Sequence, residues 1–412
     1  MNFKKLFESF SYLSVSNFVV IACSAYATVL LANYLEPEIL GILLTGEAFV
    51  EMFSFFFTMG FKNSILEYAN HDKDGFIDGL NAALGNALII RFVIAIPICI
   101  FIYFFSTYIH SDPLMVKVIV TYLLVEFFKS FTNIFGVIRK ALDQFKLVAS
   151  LTAFNKVMQL LTIFVVFKYL GGIEILLLAY VLAALIKFLV SFFTTIKFCK
   201  PKFDLEGIPS MLKQSFLFGI FDYMEEAQSK IDRLMINYIL GPSSVAFYSI
   251  PSKLNRLIKI LPKSIKQLFL PQLFKVARSP KDFQAIIKKL FILVVGLAIP
   301  ITLGIYFLSK PVLSFFFHEK YAPAIELSPL FAFIALIWFL NIIPSLILAT
   351  QSDHRGRNFI QFISIVINII LNLYLIPKFG IAGAIWATIG ANFIKFIMFQ
   401  IRCLPIFLEA SQ

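Results

Sequence analysis

About twelve times along the chain, a run of some 20 apolar residues ends at a short polar, Pro or Gly break. That is the length a helix needs to cross the hydrocarbon core of a bilayer. The runs are 10–33, 39–60, 82–105, 114–138, 148–168, 173–196, 212–240, 246–270, 288–308, 328–350, 358–376 and 381–402. None alternates in short strand-like segments, which excludes an outer-membrane barrel. Composition agrees: 59% of the 412 residues are hydrophobic, 50 are Phe, and only 15% are charged, against about 45–50% and about 25% in soluble domains. A soluble core of this size has no room for that apolar excess. The expected fold is an all-α integral membrane protein of about twelve transmembrane helices. The breaks are too short for a soluble catalytic domain. Ala25-Tyr26-Ala27 imitates a signal-peptidase site, but Glu8 precedes it and the apolar run continues through Leu31, so 10–33 is read as the first span.

Basic residues set the orientation. With both termini cytoplasmic, roughly nineteen Lys and Arg fall in inner segments and about four, Lys168, Lys310, Lys320 and Lys378, in outer ones, the bias expected of short loops. The net charge of +12 then faces anionic membrane lipids rather than nucleic acid. Cys23, Cys99, Cys199 and Cys403 have neither CxxC nor metal spacing and read as small hydrophobes.

Two halves are related by a repeat. Gly172 through Phe188 aligns without a gap on Gly380 through Phe396, with Gly172/Gly380, Ala179/Ala387, Lys187/Lys395 and Phe188/Phe396 identical. Asn33-Tyr34 after the first span echoes Asn237-Tyr238 after the seventh. An even number of spans per copy makes the repeats parallel. The expected organisation is two six-helix lobes, 1–200 and 201–412, facing one another across a central cavity.

Ionisable groups inside spans are costly and point to function or to partners. The seventh span carries Asp222, Glu225, Glu226, Ser229, Lys230, Asp232 and Arg233, and the eighth carries Lys253, Arg256, Lys259, Lys263 and Lys266. Folded about Gly241-Pro242, the acidic and basic stripes stand at matching depths, with Asp232 level with Arg256 roughly 15 Å from the outer ends. Purely structural ion pairing is the competing reading. Glu47 and Glu51 share a face of span two; Arg91 stands alone in span three; Glu126 and Lys129 neutralise each other in span four; Lys156 lies in span five. Lys187 and Lys395 are expected to snorkel to the inner headgroups. The substrate-binding candidates are therefore Arg256, Lys253, Lys259, Arg91 and Lys129. The charge-pairing candidates are Asp232, Arg233, Glu47, Glu51, Glu225 and Glu226. No nucleotide-binding loop, HExxH or GxSxG occurs, and Asp72-Lys73-Asp74 is a chance match to a metal-binding D-x-D. No enzyme activity, catalytic residue, cofactor or metal is expected.

Several short stretches carry a resemblance. Leu31-Ala-Asn-Tyr-Leu-Glu-Pro-Glu-Ile-Leu-Gly-Ile42, Met59-Gly60-Phe61, Ile231-Asp232-Arg233-Leu234 with Leu240-Gly241 and Phe247-Tyr248-Ser249-Ile250, Phe317-His-Glu-Lys-Tyr321 with Ala324, and Ile376 to Ala384 with Ala387-Thr388 resemble the Wzx-type flippases of O-antigen and capsule repeat units. Ala246 replaces the Gly usual before the tyrosine. That family shares a superfamily with the multidrug/toxin extruders and the lipid II flippase, which implies a MATE-like pair of lobes. The resemblance further implies alternating-access export of an undecaprenyl-diphosphate-linked oligosaccharide across a bacterial inner membrane. It also implies a coupling ion, Na+ or H+, and downstream polymerase and chain-length partners. A drug/cation antiporter of the same fold is the first alternative; its cavity favours acidic and aromatic walls, whereas this chain places Arg and Lys at mid-depth. A membrane glycosyltransferase or polymerase is the second, and the lack of a sizeable outer loop speaks against it.

Overall fold

The computed structural model describes residues 3–58, 60–71, 75–276, 279–351 and 354–409. Met59 and Asp72-Lys73-Asp74 fall outside the described residues, as do the side chains of Asp222 and Glu225. The described chain is helical throughout, without a strand. In order the helices are α1 (Phe3–Tyr34), α2 (Pro37–Met52), α3 (Ser54–Thr58), α4 (Phe61–His71), α5 (Phe76–Ile109), α6 (Pro113–Ala141), α7 (Phe145–Val165), α8 (Ile173–Ile196) and α9 (Ile208–Leu240). They continue as α10 (Pro242–Ile258), α11 (Ile260–Val276), α12 (Pro280–Phe316), α13 (Ala322–Leu327), α14 (Phe331–Leu340), α15 (Ile342–Thr350), α16 (His354–Phe379) and α17 (Ile381–Glu409). Eight segments among the described residues are long and apolar enough to cross a membrane. The expected spans two, four, seven and eight are missing from these eight; they carry the interior charges Glu47, Glu51, Glu126, Lys129, Asp232 and Arg256.

Local chemistry explains the helix ends. Asp112 caps α6, accepting from the Leu114 N–H at 2.9 Å, with Pro113 in the first turn, where a missing N–H costs nothing. Gly172 (φ 87°) and Gly380 (φ 60°) precede α8 and α17, so the glycines aligned by the repeat share one backbone role that a Cβ would strain.

Three expected spans prove discontinuous. The second turns at Phe53 between α2 and α3; the eighth breaks at Lys259 and the tenth at Asn341. At the latter two, Pro262 and Pro344 stand three residues beyond the break. Each proline withholds an N–H and crowds the carbonyl four residues back, at Ile258 and Leu340, where the first piece ends.

The chain divides into two compact units, Met1–Tyr34 with Thr45–Glu226, and Leu35–Leu44 with Ala227–Gln412. Helix α2 therefore gives its first half to the second unit and its second half to the first. In the first unit, α1 packs along α7 and α6 along α8, and a core of Ile65, Leu84, Ile90, Phe131 and Phe135 joins α4, α5 and α6. The connection after α8 is strapped to this unit. Asn81 Oδ1 accepts from the Lys200 N–H (2.8 Å) and the Cys199 thiol (3.0 Å), Asn86 Oδ1 accepts from the Asp204 N–H (3.0 Å), and Tyr68 donates to the Asp204 carboxylate. In the second unit, Leu290, Val294, Phe339, Leu346, Ile360 and Phe399 build the core.

The Phe317–Tyr321 stretch has a structural task. The Tyr321 hydroxyl donates to the Leu35 carbonyl at 3.0 Å, and Lys320 Nζ reaches the same oxygen at 2.9 Å and Glu36 at 3.3 Å. Tyr321 is fully buried. Tyr321→Phe should cost about 1 kcal/mol, read as a lower melting temperature of the detergent-solubilised protein; an unchanged melt would assign the cap to Lys320 alone.

Candidate functional site

Two polar centres lie within the apolar helices, one in each unit. In the second unit, α9 places Asp232 at 1% exposure. Its Oδ1 accepts from Asn372 Nδ2 (2.7 Å), and its Oδ2 accepts from the Thr388 hydroxyl (2.7 Å) and the Tyr248 hydroxyl (3.0 Å). Asn372 also donates to Asn368 Oδ1 at 3.2 Å, and Asn392 donates to the Thr388 carbonyl at 2.8 Å. These donors come from α10, α16 and α17. A carboxylate so deeply buried is tolerable only when its oxygens are hydrogen-bonded, and bonds to a charged acceptor contribute about 1.5–3 kcal/mol each.

Asn372 Oδ1 and Asn368 Nδ2 are buried without a hydrogen-bond partner. The Asp232 carboxylate, the Thr388 and Tyr248 hydroxyls and the unpartnered Asn372 Oδ1 bring carboxylate, hydroxyl and amide oxygens into one centre, a donor set that suits a hard cation.

The basic candidates of this unit lie on α10 and its break. Arg256 is exposed, Lys253 and Lys259 are half-buried, and Lys259 Nζ sits 5.5 Å from the centre of the Trp338 ring, a cation–π contact. Arg233 is buried on α9, its Nε donating to the Ser229 carbonyl at 3.4 Å. Glu226 is exposed.

The first unit gathers the remaining charges. Lys129 Nζ donates to Glu126 Oε2 at 2.7 Å, the local neutralisation expected from their i,i+3 spacing. Glu126 is 6% exposed at its side chain and Lys129 47%. Glu47 and Glu51 act on Lys129 electrostatically as well. Lys156 donates to Gln159 at 2.9 Å, with Glu47 and Lys129 as charged neighbours. Arg91 is 2% exposed; its Nη2 reaches the Thr58 carbonyl at 3.4 Å and its guanidinium stacks 4.7 Å from the Phe61 ring. Its Nε and Nη1 are buried without a hydrogen-bond partner, and Glu126 supplies the opposing charge.

The structure thus brings Glu47, Glu51, Glu126, Lys129, Lys156 and Arg91 into one electrostatic neighbourhood. The sequence reading misses Tyr248, Asn368, Asn372 and Thr388 as partners of Asp232. A signal was present: Asn368/Asn372 and Thr388/Asn392 are polar i,i+4 pairs inside otherwise apolar spans, but uncharged groups carry no orientation signal and escape a search for ionisable ones.

These polar and charged centres lie in a multi-pass helical bundle whose fold is shared with solved structures of the MOP superfamily. The structure superposes on the lipid II flippase MurJ in an inward closed conformation with a TM-score of 0.77, at 18% identity, covering 97% of this chain and 89% of that one. It superposes on an inward-facing multidrug resistance MATE transporter of the MOP superfamily with a TM-score of 0.70, at 12% identity, covering 96% and 98%. Residues 6–277 match the model of the family described as polysaccharide biosynthesis protein, and the chain belongs to that family. The capsular polysaccharide biosynthesis protein CapF of Staphylococcus aureus is 19% identical over 95% of this chain and 98% of its own.

Proposed function

We propose that the protein is a flippase that carries a polyprenyl-diphosphate-linked oligosaccharide repeat unit from the inner to the outer leaflet of the bacterial cytoplasmic membrane. The observation that carries this reading is the set of cations held inside apolar helices, Lys129 and Lys156 in the first unit and Lys253, Arg256 and Lys259 in the second. A diphosphate is a ligand that neutralises cations on such helices, and Arg can hold phosphate oxygens in bidentate fashion. Family membership and the names of its relatives, a lipid II flippase and a capsule protein, supply the rest. Undecaprenyl diphosphate is the proposed carrier, and the polymerase and chain-length machinery are the proposed partners downstream. A small cation at Asp232 is the proposed coupling ion, Na+ from the oxygen-rich donor set, with H+ on the carboxylate as the alternative.

Arg256 tests the substrate. Being exposed, it can be changed with little effect on folding. Arg256→Ala should abolish surface glycan while the inserted protein stays at its normal level, and Arg256→Lys, which loses the bidentate geometry, should recover it in part. Full-length glycan in Arg256→Ala cells with inserted protein would refute the diphosphate role of this residue. A change in drug susceptibility with intact glycan would favour the antiporter.

A further inference from the structure

Between α8 and α9 the chain exposes large apolar side chains and lysines on one short stretch. Phe198, Phe203 and Leu205 are 55%, 63% and 69% exposed, and Lys197 and Lys200 are exposed beside them. The backbone that carries them is pinned. The Lys202 N–H donates to the Asn81 carbonyl at 2.9 Å, and the Lys202 carbonyl oxygen lies 2.1 Å from where a Cβ on Gly85 would stand. The Asn81 and Asn86 side chains hold the Lys200 and Asp204 N–H groups. Cys199 and Asp204 take the inward positions, on Asn81 and Tyr68, so the residues around them face outward. The Phe203 ring rests on α5, its Cδ1 3.1 Å from the same Gly85 position, with its outer face open.

The stretch begins where a membrane span ends. Helix α8 is long and apolar enough to cross a bilayer and stops at Ile196, and Asn81 to Asn86 lie where the third expected span begins. Leu182, Ile186, Val190 and Phe193 of α8 are exposed at helical spacing, the apolar face that lipid covers. Phe198 continues that face beyond the helix end. Apolar groups set among lysines at this depth match a segment lying in the headgroup region, with rings in the acyl boundary and ammonium groups at the phosphates. Residues 197–206 hold three lysines against Asp204 and Glu206, and Tyr68 engages Asp204. The orientation expected from the basic residues puts this connection on the cytoplasmic side, where the leaflet is anionic.

We propose that the α8–α9 connection is a membrane-contact surface that docks on anionic lipid. Phe198, Phe203 and Leu205 enter the boundary between headgroups and acyl chains, and Lys197 and Lys200 pair with the lipid phosphates. Because the strap bonds the stretch to α4 and α5, the contact fixes the first unit to the leaflet at the point where the chain leaves it for α9. The proposal is independent of what the protein carries.

The test uses the full-length protein carrying Phe203→Trp, in nanodiscs of phosphatidylcholine alone or mixed with phosphatidylglycerol, the lipids brominated on the acyl chain near the headgroup. Wild type, with Trp338 and Trp386, gives the emission to subtract. The emission added by the substitution should be quenched by the brominated lipids, more strongly in the phosphatidylglycerol mixture, and little by aqueous iodide. Lys197→Gln/Lys200→Gln in the same background should lose the phosphatidylglycerol excess while melting like its parent, since both side chains are exposed. Salt at about 1 M, which shortens the screening length to about 3 Å, should remove the excess likewise. Phe198→Trp is the second probe, away from the Gly85 contact. Emission from both probes that iodide quenches and brominated lipid does not overturns the surface: the loop then stands in water, as docking of a soluble partner requires. Quenching equal in the two lipid mixtures and unchanged by Lys197→Gln/Lys200→Gln overturns the assignment to anionic lipid.

Discussion

Gly41→Leu is expected to leave cells with almost no folded protein. A Cβ at Gly41 would meet the Pro242 carbonyl oxygen at 1.8 Å and its carbon at 2.3 Å, so α2 and α10 touch backbone to backbone. No rotamer change relieves such a clash; the helices must separate. Their flanks are packed, with Leu40, Leu43, Val245 and Ala246 at 0–1% exposure, and separating them opens voids on both sides. Overpacking of this kind costs about 1–3 kcal/mol for a small group. For Leu the cost should exceed about 3 kcal/mol, a large share of a marginal stability. Gly136→Ala on α6 is the control: nothing lies within 4 Å of its Cβ, and Ala is the better helix former by up to about 1 kcal/mol. Fluorescence-detected size-exclusion melts compare the two. A Gly41→Leu protein that stays monodisperse and melts with the wild type would show that the two backbones do not meet.

Asp232→Asn separates folding from coupling. The amide keeps the shape: its oxygen can still accept from Asn372 and its NH2 can donate to the Thr388 and Tyr248 hydroxyls, which rotate to accept, so the protein should insert normally. Asp232→Ala removes every acceptor, leaving three buried donors at about 1–3 kcal/mol each, and should fail to fold. What Asp232→Asn loses is the negative charge, and with it any hold on a cation. A bound ion at 100 times its Kd stabilises the folded state by about 2.7 kcal/mol. Wild type should therefore melt higher in NaCl than in choline chloride of equal ionic strength, and the Asp232→Asn protein at the same temperature in both. An equal sodium shift in both proteins would move the ion away from Asp232. A melt indifferent to sodium in wild type, with transport dependent on a proton gradient, would assign H+ instead.

The family-like Pro37-Glu-Ile-Leu-Gly41 stretch gains a physical reason from the same contact. Gly41 is small because the Pro242 carbonyl fills the place of its side chain. Tyr321, in the Phe317–Tyr321 stretch, is there to hold the Leu35 carbonyl. Both signatures were legible as patterns, and neither disclosed its partner, which lies some 200 or more residues away.

What the sequence determined by itself is what local physics decides. Apolar runs of bilayer length become helices because only internal hydrogen bonding satisfies a backbone in lipid. Gly172 and Gly380 precede helices at turns whose positive φ suits glycine, and Glu126 meets Lys129 because they are one turn apart. The tertiary structure decided the rest. Helical spacing says which residues share a face, not what that face meets. Asp232, set level with Arg256 by the hairpin argument, takes hydrogen bonds from Asn372 and Thr388, 140 and 156 residues on. Arg139, near the end of α6, donates to Thr194, 55 residues on. A buried charge is stabilised by whatever groups packing brings within about 3 Å, and packing of helices distant in sequence leaves no mark in the periodicity of any one of them.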